Sequence, residues 1–271
     1  MNNLDMFCIC IHDELYQKIK SLNYIPVGLG DKVHNPGWIR DNTLDNISKK
    51  NKFYGEYTFH YWFWKNQLKK KENKNWIGFC AYRRFWLKKN NEPYKIENLN
   101  DDVLKKIPNE WEQYEAIVGN KIKISGVKLM KLLKYGKISF LRNPKAIFKS
   151  GRTIKFQFDM FHGNGILDKA IDILEDKERN DFRKFVNENN SYNQGNMFIC
   201  KSKKLIIKYY ETIFSWLNEC EKIFGFDLDG YGKIRIYGFL AERFLPFWFN
   251  KYSKCLEWPI VFNDLREENL N

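Results

Sequence analysis

The sequence has no apolar run of the roughly 18 residues that spanning a bilayer requires. Its first ten residues also lack the basic start and the long apolar centre of a secretion signal. We therefore expect a cytoplasmic protein, either soluble or bound peripherally to the inner face of the cytoplasmic membrane. No internal repeat or low-complexity tract is visible, and 271 residues suffice for one large domain.

Cysteine pairs typical of zinc or redox sites are lacking too. The six cysteines form no Cys-x-x-Cys pair, and Cys8, Cys80 and Cys200 lie in apolar, strand-like runs. A thiol in such a run behaves as a small hydrophobe, so we interpret these as reduced core residues and predict no zinc site. Glu56 and His60 are one helical turn apart without a third ligand nearby, which favours a hydrogen-bonded core pair.

Two patterns that are typical of nucleotide or metal sites occur here without their full sequence or their usual context. Gly28-Leu-Gly30 begins like a dinucleotide fingerprint, but Val33 occupies the third glycine position. An Asp-x-Asp motif occurs at Asp227-Leu-Asp229, where it follows a helical segment instead of an apolar strand. We therefore expect this acidic pair to lie in a polar loop and not to bind metal.

Apolar periodicity predicts alternating strands and helices, which is typical of a mixed α/β domain. The predicted strands are 7–11, 76–80, 114–118 and 197–200. The predicted helices are 55–68, 160–174, 181–187, 203–224 and 234–249, the last of them kinked or ended by Pro246. The 55–68 helix carries aromatic side chains nearly all round and must be largely buried. Residues 121–158 are basic and irregular, which predicts a mobile excursion over the active face.

Cationic side chains follow the strand predicted at 76–80, in the order Tyr82, Arg83, Arg84. Ligands bind at the carboxyl ends of strands in open α/β sheets, and a guanidinium pair there is a fork-shaped receptor for phosphate. An isolated Arg-Arg pair is more often a solvated strand end. Nearby polar residues favour a ligand site instead: Asp45, Asn46, Ser48, Lys50 and Asn51. Asp45, Asn46 and Ser48 suit ribose hydroxyls or a base edge, and they also suit capping of the following helix.

These motifs resemble a bacterial family of capsular and exopolysaccharide glycosyltransferases that was long catalogued as a domain of unknown function. The resemblance rests on Asp45-Asn-Ile-Ser48, Lys50-Asn51, Glu56, Tyr61-Trp62, Trp64-Lys65-Asn66, Gly78-Phe-Cys-Ala-Tyr-Arg-Arg84, Phe158-Asp-Met-Phe-His162, Asn193-Gln-Gly-Asn-Met-Phe-Ile199 and Gly238-Phe-Leu-Ala-Glu-Arg243. Two positions depart from the family pattern, because Ala81 replaces a usual His and Leu44 a usual Gly. No role of that imidazole is therefore carried over.

The resemblance implies a single Rossmann-like, GT-A-like glycosyltransferase domain over residues 1–271, with a mixed central sheet and additional C-terminal helices. Residues 1–120 form the nucleotide-binding half, and residues 121–271 form the acceptor-binding and helical half. The implied donor is a nucleotide-diphosphate sugar. The implied acceptor is a growing capsular or lipopolysaccharide-type glycan, in the form of a lipid-linked oligosaccharide.

Glycosyl transfer needs compensation for the charge on the leaving diphosphate and a base for the acceptor hydroxyl. Fixed arginines can supply the first without metal, so we expect no required cofactor, with Mg²⁺ or Mn²⁺ at most accompanying the diphosphate. The candidates for proton transfer are Glu242, His162 and Asp159, and an ion pair with Arg243 is an equally good reading of Glu242. Asn193 and Asn196 suit hydrogen bonds to sugar hydroxyls, although Asn-Gln-Gly-Asn is also ordinary turn chemistry.

The formal net charge of +13 implies attraction to polyanions. Together with exposed aromatics expected near Trp248, it predicts docking on an anionic membrane surface. Two rival functions remain open. A non-catalytic nucleic-acid-binding protein would need an exposed aromatic platform, whereas the aromatics here lie in runs that need burial, so we expect no nucleic acid. A metal-dependent hydrolase would use Asp227, Asp229 and His162, whose contexts give no ligand motif.

Overall fold

The protein is described here by a computed structural model, which covers residues 3–30, 35–71, 75–91, 93–94, 96–124, 148 and 151–267. The strands are β1 Leu4–Cys10, β2 Ile25–Gly28, β3 Ile39–Arg40, β4 Trp76–Ala81, β5 Arg84–Trp86, β6 Ala116–Gly119, β7 Lys121–Lys123, β8 Ser191–Asn193, β9 Phe198–Cys200, β10 Cys255–Trp258 and β11 Ile260–Phe262. The strands predicted at 7–11, 76–80, 114–118 and 197–200 are thereby confirmed, with shifted ends.

One mixed sheet organises the fold, in the order β10-β6-β9-β4-β1-β2-β3. Strand β1 lies parallel to β2 and β4, and β10 lies parallel to β6. Strand β9 runs antiparallel to both β4 and β6, pairing Phe198 with Val118. The amino end of β9 therefore lies beside the carboxyl ends of its neighbours, and we call this side of the sheet the carboxyl edge.

Smaller pairings complete the strand arrangement. Strand β5 turns back from β4 and pairs antiparallel with β11, and β7 pairs with β8 in a separate two-stranded sheet. Strands from both predicted halves, 1–120 and 121–271, share the main sheet, because β9 and β10 lie within it.

The helices are α1 Tyr16–Ser21, α2 Asn51–Tyr54, α3 Tyr57–Asn66, α4 Leu99–Asp102, α5 Ile154–His162, α6 Ile166–Asp172, α7 Asp176–Glu188, α8 Lys203–Phe224, α9 Tyr231–Ile234 and α10 Ile236–Tyr252. The 203–224 prediction is confirmed to the residue. Helix α3 is largely buried, as its aromatic sequence predicted. No helix in the described ranges is both long and apolar enough to span a bilayer.

Three helix predictions need correction. The single helix predicted over 160–174 is wrong, because Gly163 and Gly165 both have positive φ and separate α5 from α6. The 181–187 helix begins earlier, at Asp176, where acidic residues favour the first turn. Pro246 does not end α10, which continues to Tyr252.

Alternating side chains of the central strands form a hydrophobic core on each face of the sheet. On β1, Phe7 and Ile9 pack with the buried side chains of α3, α8 and α10. Met6 and Cys8 face the other way, toward Trp76, Trp86 and Trp111. Both faces are thus covered, which leaves the strand ends as the places where polar groups gather.

Two further predictions concern the surface. The segment predicted as irregular at 121–158 contains β7 and the start of α5, and residues 125–147 and 149–150 lie outside the described residues. The prediction of exposed aromatics near Trp248 is wrong. Phe247, Trp248 and Phe249 are buried because α10 packs against α8 and α7.

Cys8, Cys80 and Cys200 are buried free thiols, as predicted.

Candidate functional site

The hairpin that follows β4 presents its two arginines to different surroundings. Ala81 pairs with Arg84, so Tyr82 and Arg83 form the turn. The exposed Arg83 lies 5.0 Å from the centre of the Tyr82 ring. Hydrogen bonds from Arg266 lower the pKa of Asp264, and the charge of Arg83 adds a smaller effect in the same direction. The half-buried Arg84 acts on Tyr192, whose pKa it lowers against the larger, raising effect of burial. The two guanidinium groups therefore lie near different residues.

The side of the hairpin that carries Arg83 is covered by residues 263–267. The Leu265 N–H donates to the Tyr82 carbonyl, and the carboxylate of Asp264 accepts hydrogen bonds from Arg266. These bonds hold the pKa of Asp264 at about 2. Tyr82 also contacts the His12 ring edge-on at 5.0 Å, and burial raises its pKa. A polar and aromatic wall thus forms at the carboxyl end of β4, and no sequence pattern indicated Asp264 or Arg266.

Glu242 and Arg243 lie together on α10, as the ion-pair reading of Glu242 predicted. The Glu242 carboxylate accepts the Gly195 N–H at 2.8 Å and a hydrogen bond from Arg243. The buried Arg243 guanidinium stacks on Tyr192 at 4.8 Å and Phe158 at 5.5 Å. Its Nε has no hydrogen-bond partner among the described residues. Glu242 therefore ties α10 to the loop before β9.

His162 and Asp159 lie in the last turn of α5. The His162 Nδ1 donates to the Gly232 carbonyl at 2.9 Å, and its ring stacks on Phe239 at 4.0 Å. Burial and the Arg243 charge lower the pKa of His162 to about 3, so the ring is neutral at pH 7. Asp159 accepts from Lys155 and from the Gly165 N–H. Asp159 thus shapes the turn that ends α5.

The loop before β9 joins the carboxyl edge to α10 and to the start of α3. The Asn193 amide donates to the Gly119 carbonyl, at the end of β6. The Asn196 amide donates to Glu56 at 2.9 Å and to the Gly238 carbonyl at 3.1 Å. Arg235 donates to the other oxygen of Glu56 at 2.9 Å. We call Glu56, Asn196, Arg235 and Glu242 the polar cluster.

The predicted Glu56–His60 pair is wrong in its contacts. His60 bonds the Tyr210 hydroxyl and the backbone carbonyl of Asn196, while Glu56 bonds the Asn196 side chain. The two residues are linked through Asn196 because the side chain of Glu56, at the helix start, turns toward α10.

Residues 45–50 mostly contact helices. The Asp45 carboxylate accepts from Tyr61 at 3.2 Å, and Lys50 forms an ion pair with Glu221 at 2.7 Å. Asn46 accepts from both the hydroxyl and the N–H of Ser48. The predicted helix capping by these side chains is wrong, because Ile47 and Lys50 occupy the cap positions of the 48–50 turn and of α2, and neither makes a side-chain cap bond. The structure therefore places this group against α3 and α8.

Asn51 lies nearer to the carboxyl edge than the rest of that group. Its amide donates to the Gly55 carbonyl and to Thr58, and its side chain contacts Gly30, just after β2. The fully buried Asp41 accepts from the Gly30 N–H at 2.9 Å and from Thr58. Asn51 and Asp41 thus hold the β2 end against the α2–α3 junction.

Asp227 and Asp229 are both exposed in the loop between α8 and α9, and Asp229 accepts the adjacent Gly230 N–H. Across the described part of the chain, no three His, Cys, Asp or Glu side chains form a group that could hold a metal ion. The acidic pair thus lies in a polar loop, as expected.

Two residues that sequence reasoning missed, Arg235 and Phe239, share a helical spacing with the predicted Glu242. Arg235, Phe239 and Glu242 are four and three positions apart, which places them on one face of α10. Glu56 belonged to the family motifs, but the sequence predicted for it only a core pair with His60. Helical phasing from Glu242 was the signal that could have found Arg235.

The comparisons with known proteins bear on this arrangement. The family described as "Domain of unknown function (DUF4422)" matches residues 6–254. Among solved structures, the apo structure of the bifunctional glycosyltransferase WbbM matches with a TM-score of 0.64 and 19% sequence identity. The match covers 96% of this chain and 45% of that chain, so this chain spans less than half of WbbM's length. No curated protein sequence matches. The likeness shows the fold, a GT-A-like α/β domain with a mixed central sheet.

Proposed function

We propose that this chain, which belongs to the DUF4422 family, is a glycosyltransferase that uses a nucleotide-diphosphate sugar. The observation that carries the proposal is the convergence of Arg84, the polar cluster and the neutral His162 at the carboxyl edge of a GT-A-like sheet. In open α/β sheets this edge is where nucleotides bind. The structural likeness to WbbM, a bifunctional glycosyltransferase, supports the same class of reaction.

We assign the diphosphate to Arg84. Its guanidinium is half-buried and makes no ion pair or hydrogen bond with any described residue, so it is available to an anion. In transfer, the acceptor hydroxyl oxygen attacks the anomeric carbon, and the bond from that carbon to the diphosphate oxygen breaks. The nucleoside diphosphate leaves with the electron pair, and Arg84 stabilises its added charge. Arg83, beside Tyr82 and His12, contacts the nucleoside.

The other predicted site residues receive separate roles. Glu242 takes the proton of the acceptor hydroxyl, and Arg243 orients its carboxylate. The neutral His162 offers Nε2 as a hydrogen-bond acceptor to a sugar hydroxyl, because Nδ1 donates to Gly232. Asp159 positions the turn after His162. Asn193 holds the strand end on which the site is built.

Asn51 holds the β2 end beside the nucleotide. Asp45, Asn46, Ser48 and Lys50 support the donor site indirectly, through the α2 and α3 helices that they contact.

We further propose that the acceptor is a capsular or lipopolysaccharide-type glycan linked to lipid at the cytoplasmic membrane face. The family resemblance supports the glycan, and the charge of +13 supports a negatively charged lipid surface. The reaction requires no metal cofactor, and Mg²⁺ or Mn²⁺ at most accompanies the donor diphosphate.

Aromatic burial weighs against the nucleic-acid alternative. Eight of the nine tryptophans are buried, so tryptophan offers little surface for base stacking. The hydrolase alternative required Asp227, Asp229 and His162 to act together, but both aspartates are exposed and His162 bonds a backbone carbonyl.

The test is thermal and chemical unfolding with uridine, guanosine, cytidine and thymidine diphosphates. A ligand at 100 times its dissociation constant should add about 2.7 kcal/mol to the free energy of unfolding. A random oligonucleotide is the comparison. No effect of any nucleoside diphosphate, together with tight oligonucleotide binding, would support the nucleic-acid alternative.

A further inference from the structure

The Glu56 carboxylate is held in place by hydrogen bonds that leave some of its acceptor positions open. Oε1 accepts from the Asn196 amide and Oε2 accepts from the Arg235 guanidinium, both at 2.9 Å. An ionised carboxylate has about four acceptor positions, two on each oxygen. The side chain is 31% exposed, so a ligand can reach the carboxylate.

Asn196 adds a buried acceptor beside this carboxylate. Its Nδ2 donates to Glu56 and to the Gly238 carbonyl, and these two acceptors set which way the amide points. The opposite atom, Oδ1, is buried and accepts from no described residue, while Asn196 as a whole is 5% exposed. A buried acceptor without a donor is destabilising, so a hydroxyl that reaches this atom supplies a hydrogen bond that the described residues do not.

The chemistry of these groups selects the ligand. The open positions on Glu56 and Asn196 are all acceptors, so the ligand must present several donors. A phosphate or carboxylate ligand would lie against the Glu56 carboxylate without a spare positive charge in the polar cluster, because Arg235 is already paired with Glu56. Adjacent hydroxyl groups of a pyranose ring are neutral, act as donors and can bind both oxygens of one carboxylate.

We propose that Glu56 and Asn196 bind adjacent hydroxyl groups of a hexose, with Arg235 as the positioning residue for Glu56. This inference rests on the proposed glycosyltransferase function and names the part of the substrate that the polar cluster recognises. The nucleoside diphosphate is bound elsewhere along the edge, by Arg84 and the Tyr82 side of the hairpin. The hexose is either the one carried by the donor or the terminal unit of the acceptor.

Calorimetry on three proteins tests the proposal: the parent, Glu56→Gln and Asp5→Asn. Asp5 is a matched control, because it is a partly buried carboxylate paired with Lys71 at the opposite end of β1. If the hexose is the one carried by the donor, Glu56→Gln should weaken binding of a nucleotide sugar about tenfold and leave binding of the nucleoside diphosphate unchanged. Asp5→Asn should change neither. Equal weakening of both ligands by Glu56→Gln would overturn the proposal.

Deoxy analogues give a second measurement that does not depend on the fold of a variant. Removing the bound hydroxyl from the sugar should weaken its binding to the parent about tenfold, with little further effect in Glu56→Gln. If the hexose belongs to the acceptor, the donor sugar is unaffected. In that case methyl hexosides should give saturation-transfer signals with the parent that Glu56→Gln loses. No hexose effect in either arm would overturn the site.

The hexoside arm also separates this inference from the proposed function. A parent protein that binds no nucleotide or nucleotide sugar would refute the glycosyltransferase proposal. Binding of methyl hexosides to such a parent, and its loss in Glu56→Gln, would still support a hexose site.

Discussion

Arg83 and Arg84 show how much one position in a hairpin changes the surroundings of a side chain. Arg83 is exposed at the turn next to Tyr82, whereas Arg84 begins β5 and is half-buried toward Tyr192. The two guanidinium groups, which the sequence predicted as one phosphate receptor, therefore lie in two different parts of the carboxyl edge.

We predict different effects for the two alanine variants. Arg84→Ala should lower kcat/KM for the donor about 100-fold with the fold intact, since a lost charge-stabilising contact costs about 3 kcal/mol in the transition state. Arg84→Lys should rescue poorly, because an ammonium cannot reproduce the guanidinium geometry. Arg83→Ala should raise KM with a smaller change in kcat. Steady-state kinetics with a melting control measures both, and unchanged rates in Arg84→Ala would remove it from the mechanism.

Two buried histidines make stability depend on pH. Burial lowers the pKa of His60 and His162 to about 3, from an ordinary value of 6.5. Because the folded pKa lies below the unfolded one, the unfolded chain binds the proton first as pH falls. Stability is therefore full above about pH 6.5 and decreases toward pH 3, by up to about 1.4 kcal/mol per pH unit for each histidine.

The measurement is urea unfolding between pH 7.5 and 5, on the parent and on His162→Gln. Glutamine can still donate to the Gly232 carbonyl but does not titrate. The free energy of unfolding of the variant should depend less steeply on pH, by the contribution of one histidine. Parallel slopes in the two proteins would show that His162 is not held neutral by the fold.

At the scale of elements, the α2–α3 junction and α10 meet in the polar cluster. Gly55 has φ +58° and leaves space that the Arg235 guanidinium occupies, so an added Cβ would overlap it. Gly225, after α8, has a nearly identical backbone with φ +59°, and nothing lies within 4 Å of its would-be Cβ.

We predict that Gly55→Ala and Gly225→Ala both lose about 1–3 kcal/mol of stability from backbone strain. Only Gly55→Ala should also lose donor turnover, because it displaces Arg235 from Glu56. Urea unfolding and donor hydrolysis of the two variants separate these effects. Equal activities in the two would mean that the Arg235–Glu56 contact does not matter for the reaction.

The loop between α8 and α9 yields a prediction about metal. We expect donor turnover to persist with excess chelator and in an Asp227→Asn, Asp229→Asn double variant, because both carboxylates are exposed and Arg84 supplies a fixed cation. Turnover with added Mg²⁺ or Mn²⁺ is the comparison. If chelation abolishes activity and the folded double variant loses metal binding, the acidic pair is the metal site.

At the scale of the whole molecule, the charge of +13 and the buried aromatics lead to one expectation for membranes. The protein should bind anionic vesicles at low salt by charge alone, and the binding should weaken as salt screens it. Since Trp248 and its neighbours are buried, tryptophan emission should not change on binding. Cosedimentation with anionic and neutral vesicles measures the first effect, and salt-independent binding to both would contradict it.

The fold class and most elements followed from local sequence patterns. Helix α8 was predicted to the residue, and the buried strands at Phe7 and Trp76 were predicted from their apolar runs, because periodicity reports which side of an element is buried. The break at Gly163 was missed because the apolar pattern continues across it. A glycine with positive φ ends a helix without any change in hydrophobicity.

The sequence by itself determined the buried strand that Tyr82, Arg83 and Arg84 follow, the family motifs and the burial of the aromatic helix α3. Only the tertiary structure decided which polar groups meet. Glu56 contacts residues 140 and 179 positions away, Asn196 and Arg235, because antiparallel β9 brings its preceding loop to the edge where α10 also begins. Such contacts depend on strand order and helix packing, which are set by the whole core and leave no periodic trace in the chain. Local patterns could therefore identify Arg84 and Asn196 as candidates, but not the carboxylate that lies between α3 and α10.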